Sequence, residues 1–322
     1  MKWLAGIALL CVVLAATGFW LLRNPLLETP VAKGKLQVNE ARLRSDVETL
    51  AAIVPSRNSF NIASLNKAAD FIHAQFSRTG CEVREQTYTI EGKEFRNVSC
   101  FFGPADAPRV VMGAHYDVHY NDNPGADDNA SGVAGVLELA RMVAALKPVL
   151  THRLELIAYT LEEQPHFSSS SMGSQVHAAS LLRHKVPLRL MVSVEMIGYF
   201  SDEPGSQRFP LAMLKPIYPN TGNFIGVVGQ LFDRSNVHQV KSLMQSASDL
   251  PVYSLNAPGF IPEAGFSDHK SYWNLGLPAV MVTDTAFLRN PNYHRPTDTP
   301  DTLDYRRMAD VVRGLYFVAT QF

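Results

Sequence analysis

Residues 109–117 (RVVMGAHYD) join a short apolar run to two polar side chains, His115 and Asp117. A run of this length that is rich in β-branched residues is typical of a buried strand. Similar runs follow at residues 154–160, 188–194 and 279–283. Because these runs alternate with helical patterns, the sequence predicts an α/β fold, a three-layer α/β/α sandwich with a mixed, mostly parallel central sheet.

Helical spacing and a hairpin pattern complete the predicted element order. The predicted helices cover residues 38–53, 64–79, 130–146, 175–184, 237–247 and 305–320. Residues 82–90 and 94–102 are interpreted as a hairpin, which would add antiparallel strands at one edge of the sheet. Residues 199–262 are richer in proline, glycine and serine and are interpreted as a covering insertion. Residues 35–322 are therefore predicted to form one domain.

The N-terminal segment differs in composition from the rest of the chain. Residues 3–22 are apolar or small apart from Thr17, and Lys2 and Arg23 flank them. About 20 apolar residues are what a helix needs to cross a bilayer. Residues 1–23 are therefore predicted to be a transmembrane anchor, with a cleaved signal sequence as the alternative, and residues 24–34 a linker. Both alternatives place the folded domain outside the cytoplasm, and cleavage would make it secreted.

Net charge and cysteine content argue against a nucleic-acid partner and against a metal site built on cysteine. The 322-residue chain has a formal net charge of -1, which gives no reason to expect a nucleic-acid partner. No CxxC pair occurs, which argues against a zinc site built on cysteine. Cys81 and Cys100 flank the predicted hairpin. A disulfide between them and two separate thiols are both compatible with an exported domain.

Histidine and carboxylate side chains follow the predicted strands. In open α/β sheets, ligands bind beyond the carboxyl ends of the strands, so these side chains are expected to meet. The candidate metal ligands are His115, Asp127, Glu163, Glu195 and His294. Imidazole and carboxylate without thiolate suit catalytic zinc, or cobalt and manganese as substitutes. With one bridging acid, five such residues suffice for two zinc ions.

Two further carboxylates are predicted to act beside the metals. Glu162 precedes the candidate ligand Glu163 and is left over as a general base. Asp117 lies two residues after His115, where it could accept the second ring N–H of that histidine and fix its tautomer.

Several segments in one order resemble a known family. They are GAHYD (113–117), PGADDNASG (124–132), Glu162-Glu163 followed by MGS (172–174), EMIG (195–198), SDH (267–269) and YHRPTDTPD (293–301). These segments resemble the co-catalytic dinuclear zinc aminopeptidases of the bacterial leucyl aminopeptidase and aminopeptidase Y type. The superfamily also contains glutaminyl cyclases. The resemblance extends from about residue 42 to the C-terminus.

The resemblance implies a role for each candidate residue. His115 and Glu195 would bind one metal, Glu163 and His294 the other, and Asp127 would bridge them. Glu162 would be the general base and Asp117 would orient His115. The family also implies a cis peptide after the bridging residue, which would be the Asp127–Asp128 bond. The implied activity is hydrolysis of the N-terminal peptide bond of a peptide with a free N-terminus.

This chain departs from the family pattern in three places. Glu195 stands where aspartate is common, and the loop between Glu163 and Met172 is expanded. His166 in that loop is interpreted as a pocket-wall or surface residue rather than a ligand. Ala264 stands where some relatives carry a tyrosine that polarises the scissile carbonyl. Alternative donors are Tyr293, Tyr199 and His269.

Two other functions compete with aminopeptidase activity. A glutaminyl-cyclase-like aminoacyltransferase would use one zinc ion and cyclise N-terminal glutamine. A non-catalytic binding module would keep the fold and lose the chemistry. No candidate ligand position carries an apolar residue, which favours retained chemistry.

Overall fold

One mixed sheet organises the part of the chain that the computed structural model describes, residues 2–26, 36–120 and 122–322. The strands are β1 (Glu82–Ile90), β2 (Lys93–Phe102), β3 (Arg109–His115), β4 (Arg153–Tyr159), β5 (Leu188–Glu195), β6 (Ile225–Gln230), β7 (Val252–Ala257) and β8 (Ala279–Thr283). Their order across the sheet is β1-β2-β4-β3-β5-β8-β6-β7. The predicted α/β class is confirmed. The predicted linker falls mostly on residues outside the described ranges.

Helices cover both faces of this sheet. They are α1 (Lys2–Arg23), α2 (Glu40–Ala51), α3 (Ile62–Ser77), α4 (Gly132–Leu146), α5 (Gly173–Arg183), α6 (Arg234–Gln245), α7 (His269–Asn274) and α8 (Tyr305–Gln321). Alternation along β3 separates the faces, since Val110 and Met112 pack in the core with α4 and α8, whereas Val111 packs with α5 and α7. Side-chain caps help to fix where helices begin. Asp304, for example, accepts a hydrogen bond from the Arg307 amide at the start of α8.

Strand direction divides the sheet into two ends. β3 pairs in parallel with β4 and β5, and β5 pairs in parallel with β8. β6 runs antiparallel to β8, and β7 runs parallel to β6. We call the end at which β3, β4, β5 and β8 finish the upper end, and the end at which β6 and β7 finish the lower end. A site formed at the carboxyl ends of the parallel strands therefore lies at the upper end.

The segment 199–262, interpreted from its composition as an insertion, contributes two strands to the central sheet. Both β6 (IGVVGQ) and β7 (VYSLNA) are short and contain glycine, serine or asparagine, which weakens a strand pattern. Their pairing with β8 and with each other overrides that local preference. The helix between them, α6, matches the prediction within three residues.

A disulfide joins the segment between α3 and β1 to β2. Cys81 and Cys100, which are 19 residues apart in sequence, form a disulfide. Of the two alternatives compatible with the sequence, a disulfide or two separate thiols, the structure has the disulfide. Cross-linking a loop of this length typically stabilises a fold by ~2–4 kcal/mol. The double substitution Cys81→Ala and Cys100→Ala is therefore expected to lower the free energy of unfolding by about that amount. Chemical denaturation of the detergent-solubilised chain would measure it.

The matched control for this variant is Cys11→Ala. Cys11 is exposed on α1 and has no disulfide partner, so its substitution is expected to leave the free energy of unfolding unchanged. Equal stability of the double variant and the control would contradict a stabilising role for the disulfide.

Two helical stretches in the described residues are long and apolar enough to cross a membrane. Residues 126–146 contain α4, and 78% of that window is buried, as befits a core helix. Residues 6–23 of α1 have a mean hydropathy of 2.0, and none of these residues is fully buried in the protein. Length and composition thus leave α1 as the helix that a signal or an anchor would use.

Candidate active site

Polar side chains from four strands and their following loops meet at the upper end of the sheet. His115 is the last residue of β3, Glu162 and Glu163 follow β4, and Glu195 ends β5. Asp128 lies in the loop between β3 and α4, and His294 follows β8. All of these side chains are buried except that of His294, which is half-buried. Clustering of the predicted residues at one end of the sheet is therefore observed.

Two groups of three residues could each hold a metal ion. In the first, His115 Nε2 lies 3.3 Å from Asp128 Oδ1 and 3.4 Å from Glu195 Oε2. In the second, His294 Nε2 lies 3.1 Å from Asp128 Oδ2 and 3.2 Å from Glu163 Oε1. The ligand atoms of each group lie within 4.8 Å of one another. Asp128 offers one carboxylate oxygen to each group and is the residue they share.

The prediction that Asp127 is the shared residue is wrong by one position. Its carboxylate accepts hydrogen bonds from the Gly198 amide, at 3.0 Å, and from Asn290 Nδ2, at 2.7 Å, and it belongs to neither group. The cis peptide likewise follows Asp128, joining it to Asn129, rather than following Asp127. From sequence spacing alone, either of the adjacent acids in the sequence ADDN could be the shared ligand. Only the backbone path shows which one faces the two histidines.

Asp298 and Arg57 hold this loop in place, and the sequence reasoning assigned neither of them a role. The Asp298 carboxylate accepts hydrogen bonds from the amides of Asp127 and Asp128, at 2.9 and 3.1 Å. Arg57 is 1% exposed and donates to the carbonyl oxygens of Tyr116 and Gly125, at 2.8 and 2.6 Å. Asp298 lies within the quoted YHRPTDTPD segment, which was the one signal that could have identified it.

Asn129 ties the same loop to the end of β5. Its Nδ2 donates to the Val194 carbonyl at 2.9 Å, and its Oδ1 accepts from the amides of Gly132 and Met196. These bonds flank Glu195. The separation between Asp128 and Glu195 is therefore set by the protein's own hydrogen bonds.

Asp117 contacts both histidine and glutamate residues of the site. His115 Nδ1 lies 3.1 Å from the Asp117 carbonyl oxygen and 3.6 Å from its carboxylate Oδ1. The two carboxylate oxygens accept hydrogen bonds from the amides of Glu162 and Glu163, at 3.1 and 3.0 Å. Asp117 thus positions the glutamate pair as well as the histidine.

Glu162 lies beside the two groups and belongs to neither. Its Oε2 is 3.9 Å from His115 Nε2, and the side chain is 8% exposed. Burial raises the pKa of Glu162 well above its usual range, and the nearby charges of Glu163 and Glu195 raise it further. A carboxyl group in this position can take part in proton transfer.

The remaining groups of the cluster show a surplus of negative charge. Burial and the charge of Asp128 raise the pKa of Glu163 to about 7. Burial opposes the charged form of His294, yet Asp128 and Glu163 raise its pKa to about 10. Although His294 Nε2 is near Glu163 Oε1, this buried oxygen accepts no aligned hydrogen bond from the described residues. Such a site favours cations.

The donor set fits a divalent metal. Imidazole nitrogens and carboxylate oxygens without thiolate are ligands of catalytic zinc. An unpartnered carboxylate oxygen between Asp128 and His294 is the kind of group that a metal would satisfy.

The side chains considered as alternative donors or ligands have different surroundings. The Tyr293 ring stacks on His294 with centroids 3.7 Å apart. Burial raises the pKa of the Tyr293 phenol, and the nearby carboxylates Asp128 and Glu163 raise it further. By contrast, His269 is buried against Trp273 with its Nε2 2.7 Å from the Ala264 carbonyl oxygen. The His166 ring packs against Phe95, outside both groups.

An apolar pocket adjoins the site. Glu195 and Tyr293 are among the residues that line it. Its walls include Phe209, Leu214, Val228, Met281 and Phe287. Part of the segment 199–262 therefore walls a pocket beside the candidate metal groups.

Comparison with known proteins identifies the family. The model of peptidase family M28 matches residues 97–318. The chain is 47% identical over 281 residues to the uncharacterized protein YfbL of Escherichia coli (strain K12), with 85% of each chain covered. The chain belongs to peptidase family M28, and the predicted resemblance to zinc aminopeptidases is confirmed at the level of the family.

More distant relatives carry names that describe an activity. Leucine aminopeptidase 1 of Ajellomyces dermatitidis is 24% identical over 212 residues, which are 62% of this chain and 49% of that protein. The chain thus spans about half the length of that fungal relative.

Solved structures share the fold. The LapA aminopeptidase of Legionella pneumophila superimposes with a TM-score of 0.72 at 19% identity, covering 91% of this chain and 77% of that one. The glutaminyl cyclase of Porphyromonas gingivalis has a TM-score of 0.64 at 17% identity, with 87% and 98% covered. At these identities the likeness establishes the fold and leaves the reaction to be argued from the site.

Proposed function

We propose that the protein is a metallo-aminopeptidase that holds two zinc ions and hydrolyses the N-terminal peptide bond of peptides. The observation that carries the proposal is the pair of three-residue groups joined by one carboxylate. His115, Asp128 and Glu195 would hold one ion, and Asp128, Glu163 and His294 the other. Cobalt or manganese could substitute, because the donor set is imidazole and carboxylate.

The chemistry of hydrolysis is divided between the metals and the side chains. Bound zinc would supply Lewis acidity to the scissile carbonyl and to water. Glu162 accepts the proton of the attacking water and returns it to the leaving amine, a role that its place beside both groups supports. Asp117 holds Glu162 through the main-chain amide and keeps His115 in one orientation.

The apolar pocket supports a preference for substrates with a large apolar N-terminal residue. Because Glu195 and Tyr293 line this pocket, a substrate side chain bound in it would lie next to the candidate metal groups. Tyr293 keeps its phenolic proton at neutral pH because burial raises its pKa, so it can donate a hydrogen bond to a substrate carbonyl.

Metal content and substrate turnover test the proposal together. We expect the detergent-solubilised full-length chain, stripped with a chelator and reloaded, to bind close to two zinc ions, since two groups of ligands are present. The reloaded protein should hydrolyse leucyl and phenylalanyl p-nitroanilide faster than the glycyl and glutamyl derivatives. Elemental analysis and a chromogenic assay on one preparation provide both readouts. No turnover of any aminoacyl derivative by fully loaded protein would contradict the proposal.

Glutaminyl cyclisation is the second candidate, supported by the shared fold with the Porphyromonas gingivalis enzyme. A cyclase would release ammonia from a peptide with N-terminal glutamine and leave a pyroglutamyl product. Zinc binding that never exceeds one ion per chain, together with that product, would favour cyclisation over hydrolysis.

The N-terminal helix and the disulfide support an extracytoplasmic location. Residues 6–23 of α1 include no fully buried residue and are apolar enough to act as a membrane anchor. The Cys81–Cys100 disulfide is of a kind that persists in oxidising compartments such as the periplasm or the extracellular space. The proposed substrate is accordingly a peptide outside the cytoplasm.

A further inference from the structure

We propose that the last turn of α1 and the loops after β6 and β7 form one membrane-contact surface. This surface would rest at the interface of a lipid bilayer and leave the active site facing water. It is defined by Phe19, Trp20, Phe232 and Phe260. The proposal rests on α1 serving as an anchor and is independent of which reaction the site catalyses.

The end of α1 is built into the folded domain. Asn24 is 5% exposed, and its Nδ2 donates to the Arg234 carbonyl at 2.8 Å. Lys241, also 5% exposed, donates to the carbonyl oxygens of Arg23 and Asn24, both at 3.1 Å. Removal of this turn would leave the buried Lys241 ammonium without these two acceptors, which favours a retained helix.

Contacts with β7 fix the direction in which α1 leaves. Asn256 Nδ2 donates to the Leu21 carbonyl at 2.7 Å, and Ser254 Oγ donates to the Arg23 carbonyl at 2.7 Å. Residue numbers rise along α1 as they fall along β7. The free part of α1 therefore departs at the carboxyl end of β7. That is the lower end of the sheet, opposite the end at which the metal groups lie.

The length of the free helix brings the bilayer close to this end. Residues 3–17 are the part of α1 that precedes the turns docked on the folded domain. They span only ~22 Å at 1.5 Å per residue. The hydrocarbon core of a bilayer is ~30 Å thick. A helix that crosses the core must therefore carry its docked turns, with the neighbouring loops, to the lipid interface.

Aromatic side chains lie near both ends of α1, where the two interfaces of a bilayer crossed by this helix would lie. Trp3 and Trp20 are 88% and 42% exposed and lie ~26 Å apart along an ideal helix, as in two interfacial belts. Arg23 stacks on Phe19 and Tyr253 next to Trp20. Aromatic rings and a cation at one helix end are typical of a membrane interface.

Two exposed phenylalanines continue the belt onto the domain. Phe232 is 98% exposed and lies two residues before Arg234, whose carbonyl contacts Asn24. Phe260 is 66% exposed in the loop after β7. The Leu231 amide donates to the Ala257 carbonyl at 3.1 Å, which holds the two loops together. Exposed aromatic side chains clustered at a helix exit fit a lipid interface better than water.

Quenching of site-specific labels tests this surface. A fluorophore would be attached at Phe232→Cys or Phe260→Cys in full-length protein carrying Cys11→Ala, because the disulfide-bonded cysteines do not react. Phe60→Cys is the matched control, since Phe60 is 64% exposed and packs on Tyr120 at the upper end. The protein would be reconstituted in phosphatidylcholine vesicles containing brominated acyl chains, and the water-soluble quencher acrylamide would be used separately.

We expect the bromolipid to quench labels at positions 232 and 260 at least about twofold more than the label at position 60. Acrylamide should show the opposite order. Equal bromolipid quenching at the three positions, or quenching at position 60 alone, would overturn the proposal. Intact mass of membrane-derived protein that lacks residues 1–23 would also overturn it. Neither readout requires metal or activity, so failure of the hydrolase assay leaves this test unaffected.

Discussion

Substituting Asp128 with asparagine is expected to empty both metal positions at once. Asp128 is the one residue common to the two ligand groups, and each of its carboxylate oxygens faces a different histidine. An amide offers one neutral oxygen in place of two charged ones. We expect bound zinc to fall from about two ions to less than one per chain. Since metal Lewis acidity contributes several kcal/mol to such reactions, kcat/KM should fall on the order of 10³-fold or more. Elemental analysis and kinetics on the same preparation measure both effects.

Asp127→Asn is the matched control for this experiment. Asp127 is adjacent, equally buried and identical in chemistry, but it accepts hydrogen bonds from Gly198 and Asn290 and faces neither histidine. Its variant should retain close to two zinc ions. If Asp127→Asn lost the metals while Asp128→Asn kept them, the sharing of Asp128 between two ions would be refuted.

Glu162→Gln is expected to separate chemistry from metal binding. Glu162 lies outside both ligand groups, so its amide variant should bind zinc normally. Loss of a positioned acid–base group typically lowers kcat by ~10²–10⁴-fold. We expect KM to change little, because glutamine preserves the shape of the side chain and leaves the substrate contacts in place. Steady-state kinetics on zinc-loaded protein measure the split between kcat and KM.

Glu163→Gln supplies the comparison for Glu162→Gln. Glu163 belongs to the second ligand group, so its variant should weaken one zinc position, and excess zinc should partly restore activity. Near-normal turnover by Glu162→Gln, or loss of zinc from it, would show that the general base is a different residue.

The strands that carry the site could be predicted because each is marked by a pattern within its own few residues. β3, β4, β5 and β8 are buried on both faces and therefore read as short apolar runs, each followed by a loop. The rule that ligands gather at carboxyl ends of parallel strands then brought His115, Glu163 and Glu195 together. β6 and β7 carry no such continuous run, and their place in the sheet comes from pairing with distant strands.

Which of Asp127 and Asp128 is shared by the two ligand groups could be decided only from the conformation of the backbone. Both acids precede α4, and both are buried. Asp298 fixes the backbone that carries both of them, because its carboxylate accepts hydrogen bonds from both amides at a sequence distance of about 170 residues. A contact so distant in sequence leaves no local pattern. The buried guanidinium of Arg57, far upstream of the quoted segments, was not predicted because its contacts are also distant in sequence.

The hydrogen bonds of Asn129 have a consequence for the affinity of the proposed metal site. Because they join the Asp128 loop to the end of β5, ligands from two separate elements are already at their spacing before any ion arrives. The conformational entropy of bringing them together is lost during folding and is not subtracted from the affinity for zinc. The fold would thus act as a preorganised chelator for an ion in dilute solution.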